Sequence, residues 1–426
     1  MISDTDLAAS DKILARAAWR LIPFMALMYV VSFLDRVNIS FAALTMNRDL
    51  GFSPEVYGFA SGIFFLGYFL FEVPSNLALQ KVGARLWMCR ICVTWGFLSM
   101  LTAFCREPVS FCVVRFLLGA AEAGLYPGMI LYMTYWFPAS TRARFIALFL
   151  AGVPLSNVIG GPLSGWLLGL NSYGLHGWQW MLVLEGIPSL VCGLATLWLL
   201  PDGPHQAKWL SAEEKQIIAA RLAAEPPGAL HGLKEMLLDR RIWILMIPDF
   251  AIVFPLYALN FFLPQMIKAM GFSLHETGFI VALPYLLAMA AMVALGWSSD
   301  RRGNAARHVA VAALIAAAGV AGAALLDDRV AVIACLCLTT CGIYAALAVF
   351  WTLPSALLRG TAAAAGLALL NSVSNLGGFF GPGMMGWARQ ATGSFALGME
   401  LLAGMLVLAA VAVTLIGRAW FRPVRP

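Results

Sequence analysis

Long apolar runs, separated by short polar breaks, make up most of the chain. A helix that crosses a bilayer needs about 20 mostly apolar residues, and twelve stretches reach that length. We therefore predict an all-α membrane protein with twelve transmembrane helices, at residues 19–41, 55–79, 86–105, 108–136, 143–169, 178–200, 242–268, 277–299, 308–326, 330–357, 362–388 and 394–418.

One long polar stretch, at residues 201–240, interrupts this pattern. Its segment "LSAEEKQIIAARLAAE" has a capping-box pattern, Ser211 with Glu214 three residues later, followed by apolar positions at helical spacing. This predicts a short amphipathic helix on the cytoplasmic surface. The stretch would be a linker between two six-helix bundles, at residues 1–200 and 241–426, and it would hold the bundles together while letting them move.

The two predicted bundles share a sequence repeat. "GFSPEVYGF" from Gly51 recurs as "GFSLHETGF" from Gly271, and "NLALQKVGAR" from Asn76 aligns with "GWSSDRRGNA" from Gly296 at the same offset. Two pseudo-symmetric six-helix bundles with a cavity between them at mid-membrane are typical of a transporter.

Composition and charge support this interpretation. The chain is 61% hydrophobic and only 12% charged, which excludes an ordinary water-soluble globular protein. Most of its 28 Lys and Arg residues fall on segments that are cytoplasmic if both termini are inside, as the positive-inside rule requires. The net charge of +6 then reflects membrane orientation, and we expect no nucleic-acid partner.

Cysteine and histidine suggest neither a disulfide framework nor a metal site. The eight cysteines are scattered through apolar runs, and Cys89 and Cys92 form a lone C-x-x-C without a second ligand pair. We expect these cysteines to pack, and we expect no metal and no cofactor. The histidines lie in predicted loops or at helix ends rather than at metal-ligand spacing: His176, His205, His231, His275 and His308.

Four ionisable residues of the first-half spans form a candidate central cluster. Asp35 and Arg36 are on the first predicted helix, and Arg115 and Glu122 are on the fourth. Each costs about 2.5–3.5 kcal/mol on insertion scales, so such residues are paired, hydrated or functional. The rise per residue puts Asp35 and Arg115 at similar depths, as candidate partners, and Glu122 roughly 10 Å deeper, near the midplane. The second half has no comparable central cluster.

The four ionisable residues allow two interpretations, a functional one and a structural one. The planar guanidinium of Arg36 can bind a carboxylate through two hydrogen bonds, and Glu122, in a deep cavity, can exchange a proton. Alternatively, the four residues form a structural charge network that fixes one helix against another, and for Arg115 both readings stay open.

The segment "GWSSDRRG" resembles the G-x-x-x-D-R-x-G loop of the major facilitator superfamily. It supplies Gly296, Asp300, Arg301 and Gly303 as candidate gating-loop residues. The first-half copy keeps Lys81 and Gly83 but has Asn76 in place of the glycine and Gln80 in place of the aspartate.

Four further motifs resemble the anion:cation symporter branch of that superfamily: "FLDRVNISFA", "FEVPSN", "RFLLGAAEAGLYPGMI" and "EGIPS". This branch includes bacterial permeases for tartrate, phthalate, hydroxyphenylacetate and galactonate. The resemblance implies that Asp35 and Glu122 couple protons and that Arg36 binds the anion.

Other polar or amphipathic residues are candidates for lining the cavity. The resemblance supports Tyr68, Trp351 and Asn371 as substrate-binding residues, and depth alone suggests Tyr257 and Asn260. Val153 stands where sugar-acid transporters of this branch tend to carry a polar residue, which favours a more apolar anion.

The expected function is therefore import of a small organic carboxylate coupled to protons, by a multi-pass protein of the bacterial inner membrane. The expected partners are the carboxylate, protons and lipid, and nothing in the sequence demands more than a monomer. Two alternatives remain open, a proton-driven exporter of the multidrug type and a membrane sensor that moves no solute. We expect no enzyme activity, because the chain has no G-x-S-x-G, H-E-x-x-H or phosphate-loop motif.

Overall fold

A computed structural model describes residues 4–223, 239–357 and 361–420. Within these ranges the chain forms sixteen α-helices, one 3₁₀ turn at Pro204–Gln206 and no β-strand. The helices are α1 (Asp4–Leu50), α2 (Pro54–Val82), α3 (Ala84–Thr102), α4 (Pro108–Glu122), α5 (Leu125–Thr134), α6 (Ala139–Leu167), α7 (Gly177–Leu199), α8 (Ala212–Ala223), α9 (Arg240–Ala269), α10 (Leu274–Arg302), α11 (Ala305–Leu325), α12 (Arg329–Phe350), α13 (Thr352–Leu357), α14 (Thr361–Ser374), α15 (Gly377–Thr392) and α16 (Ala396–Trp420).

Every predicted span falls on one of these helices or on two consecutive ones. In the described ranges, nine segments are long and apolar enough to cross a membrane, with α4–α5 and α12–α13 each counted as one. The other three predicted spans, which correspond to α3, α6 and α14–α15, are also helical. The chain is a multi-pass membrane protein with an all-helical fold.

The sequence repeat is also a repeat of backbone geometry. Gly51 and Gly271 both have positive φ, at +67° and +92°, and each is followed by a serine that caps the next helix. Ser53 accepts the amide of Val56 at 3.2 Å, and Ser273 makes a capping box at the start of α10. The same turn therefore starts the second long helix of each half.

The predicted span 108–136 is broken rather than continuous. Its first part, α4, ends at Glu122, and Gly124 has φ +89°. A Cβ at Gly124 would lie 2.4 Å from the hydroxyl of Ser75, so both conformation and space require glycine here. The break places Glu122 at a helix end, which the hydrophobic pattern alone does not indicate.

The helices before the linker pack mainly on one another, chiefly α3 on α7, α2 on α4 and α1 on α6. The later helices do the same, chiefly α11 on α12 and α16, and α10 on α12. The two groups meet chiefly through three pairs, α6 with α10, α2 with α15, and α1 with α9, and α2 also contacts α14. The division into two six-helix bundles stays a prediction, but these pairs are where the groups meet.

The surface and the interior differ as expected for a protein in lipid. Large apolar side chains point outward from the helices, for example Val109 at 73%, Trp198 at 78% and Val293 at 75% exposure. The largest interior side chains, such as Trp95 and Trp178, are almost fully buried. Outward apolar faces of this extent match a bilayer as the surrounding solvent.

The linker begins as the sequence predicts. Ser211 and Glu214 form the reciprocal capping box, with bonds of 2.9 and 3.1 Å, at the start of α8. Arg16 of α1 pairs with Glu214, and Arg20 lies 5.4 Å from the centre of the Trp209 ring. The linker helix is therefore held against α1. Residues 224–238, with His231, lie outside the described residues.

Candidate functional site

A buried ion pair joins α1 to the break after α4. The Nη2 of Arg36 donates to Oε1 of Glu122, and the two side chains are 8% and 2% exposed. The sequence indicates both residues but not this pairing. Because an unpaired charge this far from water would be very costly, each side chain needs the other or a substitute of the same charge.

Aromatic rings surround the guanidinium of Arg36. Its Cζ lies 4.5 Å from the ring centre of Phe33 and 5.3 Å from those of Phe64 and Tyr68. The predicted residue Tyr68 thus borders Arg36, within the range of a cation–π contact. The rings stabilise the cation while leaving its Nε without a hydrogen bond. A planar cation between rings, with a donor to spare, is suited to bind a flat carboxylate.

The second half of the chain reaches this pair through Tyr257. Arg36 Nη1 donates to the Tyr257 hydroxyl at 3.4 Å, and that hydroxyl donates to Oδ1 of Asn375 at 3.3 Å. The Tyr257 ring also packs on Phe65, with 4.3 Å between ring centres. The predicted residue Tyr257 therefore connects the charge pair of the first half to the turn between α14 and α15.

Asp35 lies in a separate polar cluster. It accepts from Trp95 at 2.7 Å, Ser99 at 3.2 Å and Asn38 at 3.3 Å, and also from the hydroxyl of Ser189. Consecutive helical residues point about 100° apart, so Asp35 faces α3 and α7 while Arg36 faces the second half.

The expected pairing of Asp35 with Arg115 is therefore wrong. Arg115 is 1% exposed and its Cζ lies 5.2 Å from the centre of the Phe64 ring, on which Arg36 also packs. Its Nε and Nη2 have no hydrogen-bond partner. Similar depth did not bring the two residues together, because they lie on different faces of the bundle.

Asn260 belongs to a second-half cluster. Its Oδ1 accepts from the Tyr285 hydroxyl at 2.7 Å, and its amide lies 3.4 Å from the Tyr344 hydroxyl. All three side chains are buried. Sequence reasoning missed Tyr285 and Tyr344, although each is a single hydroxyl within an apolar helix.

The other two predicted binding residues do not contact the Arg36–Glu122 pair. Trp351 caps the end of α12 and packs on Phe350, with ring centres 6.1 Å apart. Asn371 is half-buried on α14, and its backbone carbonyl accepts the amide of Asn375.

Glu72 and Glu185, from the motifs "FEVPSN" and "EGIPS", are both buried. Glu185 accepts from Ser164 at 2.7 Å within the first half. Glu72 accepts from Ser372 of α14 at 2.6 Å, so its bond crosses between the halves. Glu185 therefore bonds within one half of the chain, as a structural residue would, whereas Glu72 also connects the two halves.

The two gating loops are built differently. In the second half, Gly303 has φ +67° and ends α10, and the exposed Arg301 stacks on Trp297 at 3.9 Å; Gly296 has open space around it, and Asp300 is exposed.

In the first half, Lys81 is exposed and Gly83 has φ +97°. Asp202, from the start of the linker, accepts the amide of Arg85 at 2.8 Å. A carboxylate from elsewhere in the chain thus lies at the loop whose own motif carries Gln80.

Sequence reasoning also missed Asp249 of α9, which is fully buried in the second half. The expectation that this half has no comparable central cluster stays a prediction, but its described residues include this buried carboxylate. Its signal is a single aspartate, the eighth residue of the predicted span 242–268.

Known proteins resemble this chain along most of its length. Residues 25–382 match the Major Facilitator Superfamily. An Agrobacterium vitis protein named "Putative tartrate transporter" is 47% identical over 412 residues, covering 96% of this chain and 92% of that protein. An Acinetobacter baumannii protein named "Quinolone resistance transporter" is 38% identical over 400 residues, covering 92% and 91%.

Among solved structures, a bacterial homologue of the human lysosomal transporter Spinster, inward-facing and occupied, superposes with a TM-score of 0.78. It is 18% identical and the superposition covers 94% of this chain and 97% of that one, so the likeness shows the fold.

Proposed function

This chain belongs to the Major Facilitator Superfamily, and we propose that it is a proton-coupled symporter that imports a small organic carboxylate by alternating access. The observation that carries the proposal is the buried Arg36–Glu122 pair, enclosed by aromatic rings and linked to the second half by Tyr257. Enclosed ionisable residues within spans mark substrate and proton pathways by default.

The pair suggests how binding and proton uptake are coupled. Arg36 can neutralise one carboxylate, and in this conformation that carboxylate is Glu122. A substrate carboxylate that binds Arg36 displaces Glu122, whose negative charge is then buried without its ion-pair partner. Taking up a proton removes that charge. Loss of the substrate would let Glu122 release its proton and pair with Arg36 again.

Asp35 is the second proposed proton site. Its four donors stabilise an ionised carboxylate, and it is not in contact with Glu122. Its proton would therefore be gained and lost as α1 moves against α3 and α7, rather than by direct competition with the substrate.

For the substrate, we propose a small carboxylate such as a hydroxy dicarboxylate, an aromatic carboxylate or a sugar acid. The name of the Agrobacterium vitis relative supports the first of these. The rings around Arg36 and the apolar Val153 favour an anion with an apolar or aromatic face. We further propose a monomer in the bacterial inner membrane, with protons as the coupling ion and no cofactor.

A second candidate function is proton-driven export. The Acinetobacter baumannii relative named for quinolone resistance favours it, because quinolones carry a carboxylate that an arginine could bind. The same site can serve either direction, since the fold does not fix the direction of transport.

The test is uptake into proteoliposomes of labelled tartrate, an aromatic carboxylate and an aldonate, with and without an inward proton gradient. We expect the gradient to drive accumulation of one of them. Arg36→Ala should lower binding roughly 30-fold or more, since the substrate carboxylate loses its charged, hydrogen-bonding partner. Glu122→Gln should abolish accumulation but spare exchange, since glutamine still accepts from Arg36 but carries no proton.

Matched controls are Arg106→Ala and Glu107→Gln, which alter exposed residues near the start of α4. Normal accumulation by Arg36→Ala would show that Arg36 does not anchor the anion. If quinolones leave the vesicles under the gradient and no carboxylate enters, export replaces import.

A further inference from the structure

The described residues around Asp249 give little stabilisation to an ionised carboxylate at this position. Asp249 is 0% exposed, and neither of its oxygens has a hydrogen-bond partner. The hydroxyl of Ser374, at the end of α14, faces Asp249, but the two groups do not form a hydrogen bond of normal geometry. This isolation contrasts with Asp35, which has four donors.

Among the described residues, no charged side chain compensates Asp249. The helices packed against α9 are α1, α10, α12, α14, α15 and α16, and among their described residues no ionisable group acts on this carboxylate. An ionised carboxylate without a donor or a cation is strongly disfavoured inside a protein. In this conformation, Asp249 therefore needs a bound proton.

Its position connects it to the charge pair. Asp249 lies eight residues before Tyr257 on α9, roughly 12 Å closer to the predicted cytoplasmic end. Its neighbour Ser374 directly precedes Asn375, which accepts from the Tyr257 hydroxyl that contacts Arg36. Asp249 thus faces the last residue of α14, and Arg36 reaches the next residue, Asn375, through Tyr257.

From this geometry we infer that Asp249 is a proton-binding site of the second half, which holds a proton while it is enclosed and releases it to cytoplasmic water when that end opens. The step is the addition of one proton to the carboxylate, forming a neutral carboxylic acid, and its later loss. The inference rests on the proposed symport and adds a third proton site to Asp35 and Glu122.

The same arrangement links the site to substrate release. Once ionised, Asp249 would attract the Ser374 hydroxyl as a donor. That shift would move the adjacent Asn375 relative to Tyr257 and loosen the contact of the second half with Arg36.

The first experiment compares Asp249→Asn with wild type and with Asp327→Asn, a control at an exposed loop residue. The probe is labelled tartrate, or whichever carboxylate of the panel wild type accumulates. We expect Asp249→Asn to keep exchange of labelled for unlabelled substrate at the wild-type rate. Under a gradient of one pH unit, accumulation should fall by about tenfold if one coupled proton is lost.

Wild-type accumulation by Asp249→Asn would overturn the inference, and so would an equal loss of exchange and accumulation, which indicates a structural role. Ser374→Ala is the second variant. It leaves the carboxylate in place, so it should keep accumulation but change its pH dependence.

A measurement without substrate separates this inference from the proposed function. Infrared difference spectra between acidic and alkaline pH detect the carbonyl stretch of a protonated carboxylic acid. We expect one such band to disappear in Asp249→Asn and to remain in Asp327→Asn. If wild type shows no gradient-driven uptake but this band is lost, the symport proposal fails and the proton site stands. If no band is lost, the proton site is wrong whatever the transport result.

Discussion

Asp35 and Arg36 are consecutive residues, yet their side chains contact different parts of the protein. Asp35 accepts hydrogen bonds from α3 and α7, whereas Arg36 faces Glu122 and Tyr257. The helical rotation of about 100° per residue accounts for this separation. It lets one short segment of α1 hold the first half together and also bind across to the second half.

This separation predicts different consequences of mutation. Asp35→Ala leaves the buried donors of Trp95, Ser99 and Ser189 without an acceptor, and each unsatisfied group costs about 1–3 kcal/mol. We expect a clear fall in the thermal unfolding temperature in detergent, and a smaller one for Asp35→Asn, which keeps one acceptor oxygen. Asp327→Asn is the control, and an unchanged unfolding temperature for Asp35→Ala would contradict this account.

The sequence identified the ionisable residues of the first half but not their partners. The free-energy cost of placing an ionisable side chain in a membrane span makes such residues rare. This cost singles out Asp35, Arg36, Arg115 and Glu122. Partners depend on which helix faces adjoin, and depth alone suggested Asp35 with Arg115. Asp249 lies in the predicted span 242–268 and carries the same cost, but it was missed because it has no second charge near it in the span and no recognised motif.

At the scale of helices, hydrophobic length predicted where the spans lie: within the described residues, nine of the twelve predicted spans are long and apolar enough to cross a membrane, and the other three are helical. Hydrophobic length did not predict the break at Gly124, because α4 and α5 form one apolar stretch and the break depends on contact with Ser75. The extension of α1 back to Asp4 was also beyond a hydrophobic pattern, since the residues before the predicted span 19–41 include several charged ones, of which Arg16 pairs with Glu214 of α8.

The close contact of α6 with α10 yields an element-scale prediction. A Cβ at Gly278 would lie 2.4 Å from the carbonyl oxygen of Gly161, with no flexible side chain to yield. Gly278→Val should therefore push the helices apart and disfavour this conformation by about 1–3 kcal/mol. Spin labels at the exposed Tyr173 and Leu326 should report a longer distance between the predicted external loops.

The matched control for this substitution is Gly383→Val. Gly383 is also inside a helix, but nothing lies within 4 Å of its added Cβ. Both variants carry the same cost in helix propensity, so only the contact differs. An equal distance between the labels in both variants would show that α6 and α10 do not need this approach.

At the scale of the whole molecule, a repeated fold carries unequal chemistry. The turns at Gly51 and Gly271 match, and so do the serine caps that follow them. The buried ion pair, however, lies in the first half. The buried polar groups of the second half are hydroxyls, side-chain amides and Asp249 among the described residues. The sequence predicted this asymmetry in part. Under the proposed function, two halves of one fold would rock against each other, and the Arg36–Glu122 pair would place the anion site in the first half.

The bond between Glu72 and Ser372 makes the balance between conformations testable. It joins the two halves inside the protein, at 2.6 Å. Ser372→Ala leaves a buried carboxylate without this donor, at a cost of about 1–3 kcal/mol to the conformation described here. Since 1.4 kcal/mol is a factor of ten, the population should shift about tenfold toward a conformation in which the halves part along α2 and α14. Labels at Tyr173 and Leu326 should then show a second distance.

Ser355→Ala is the matched control. It removes an exposed serine that bonds only within its own turn, so it should leave the distances between the labels unchanged. If Ser372→Ala also leaves the distances unchanged, the Glu72–Ser372 bond does not affect the equilibrium between the two conformations. Contact between the halves must then depend on helix packing alone.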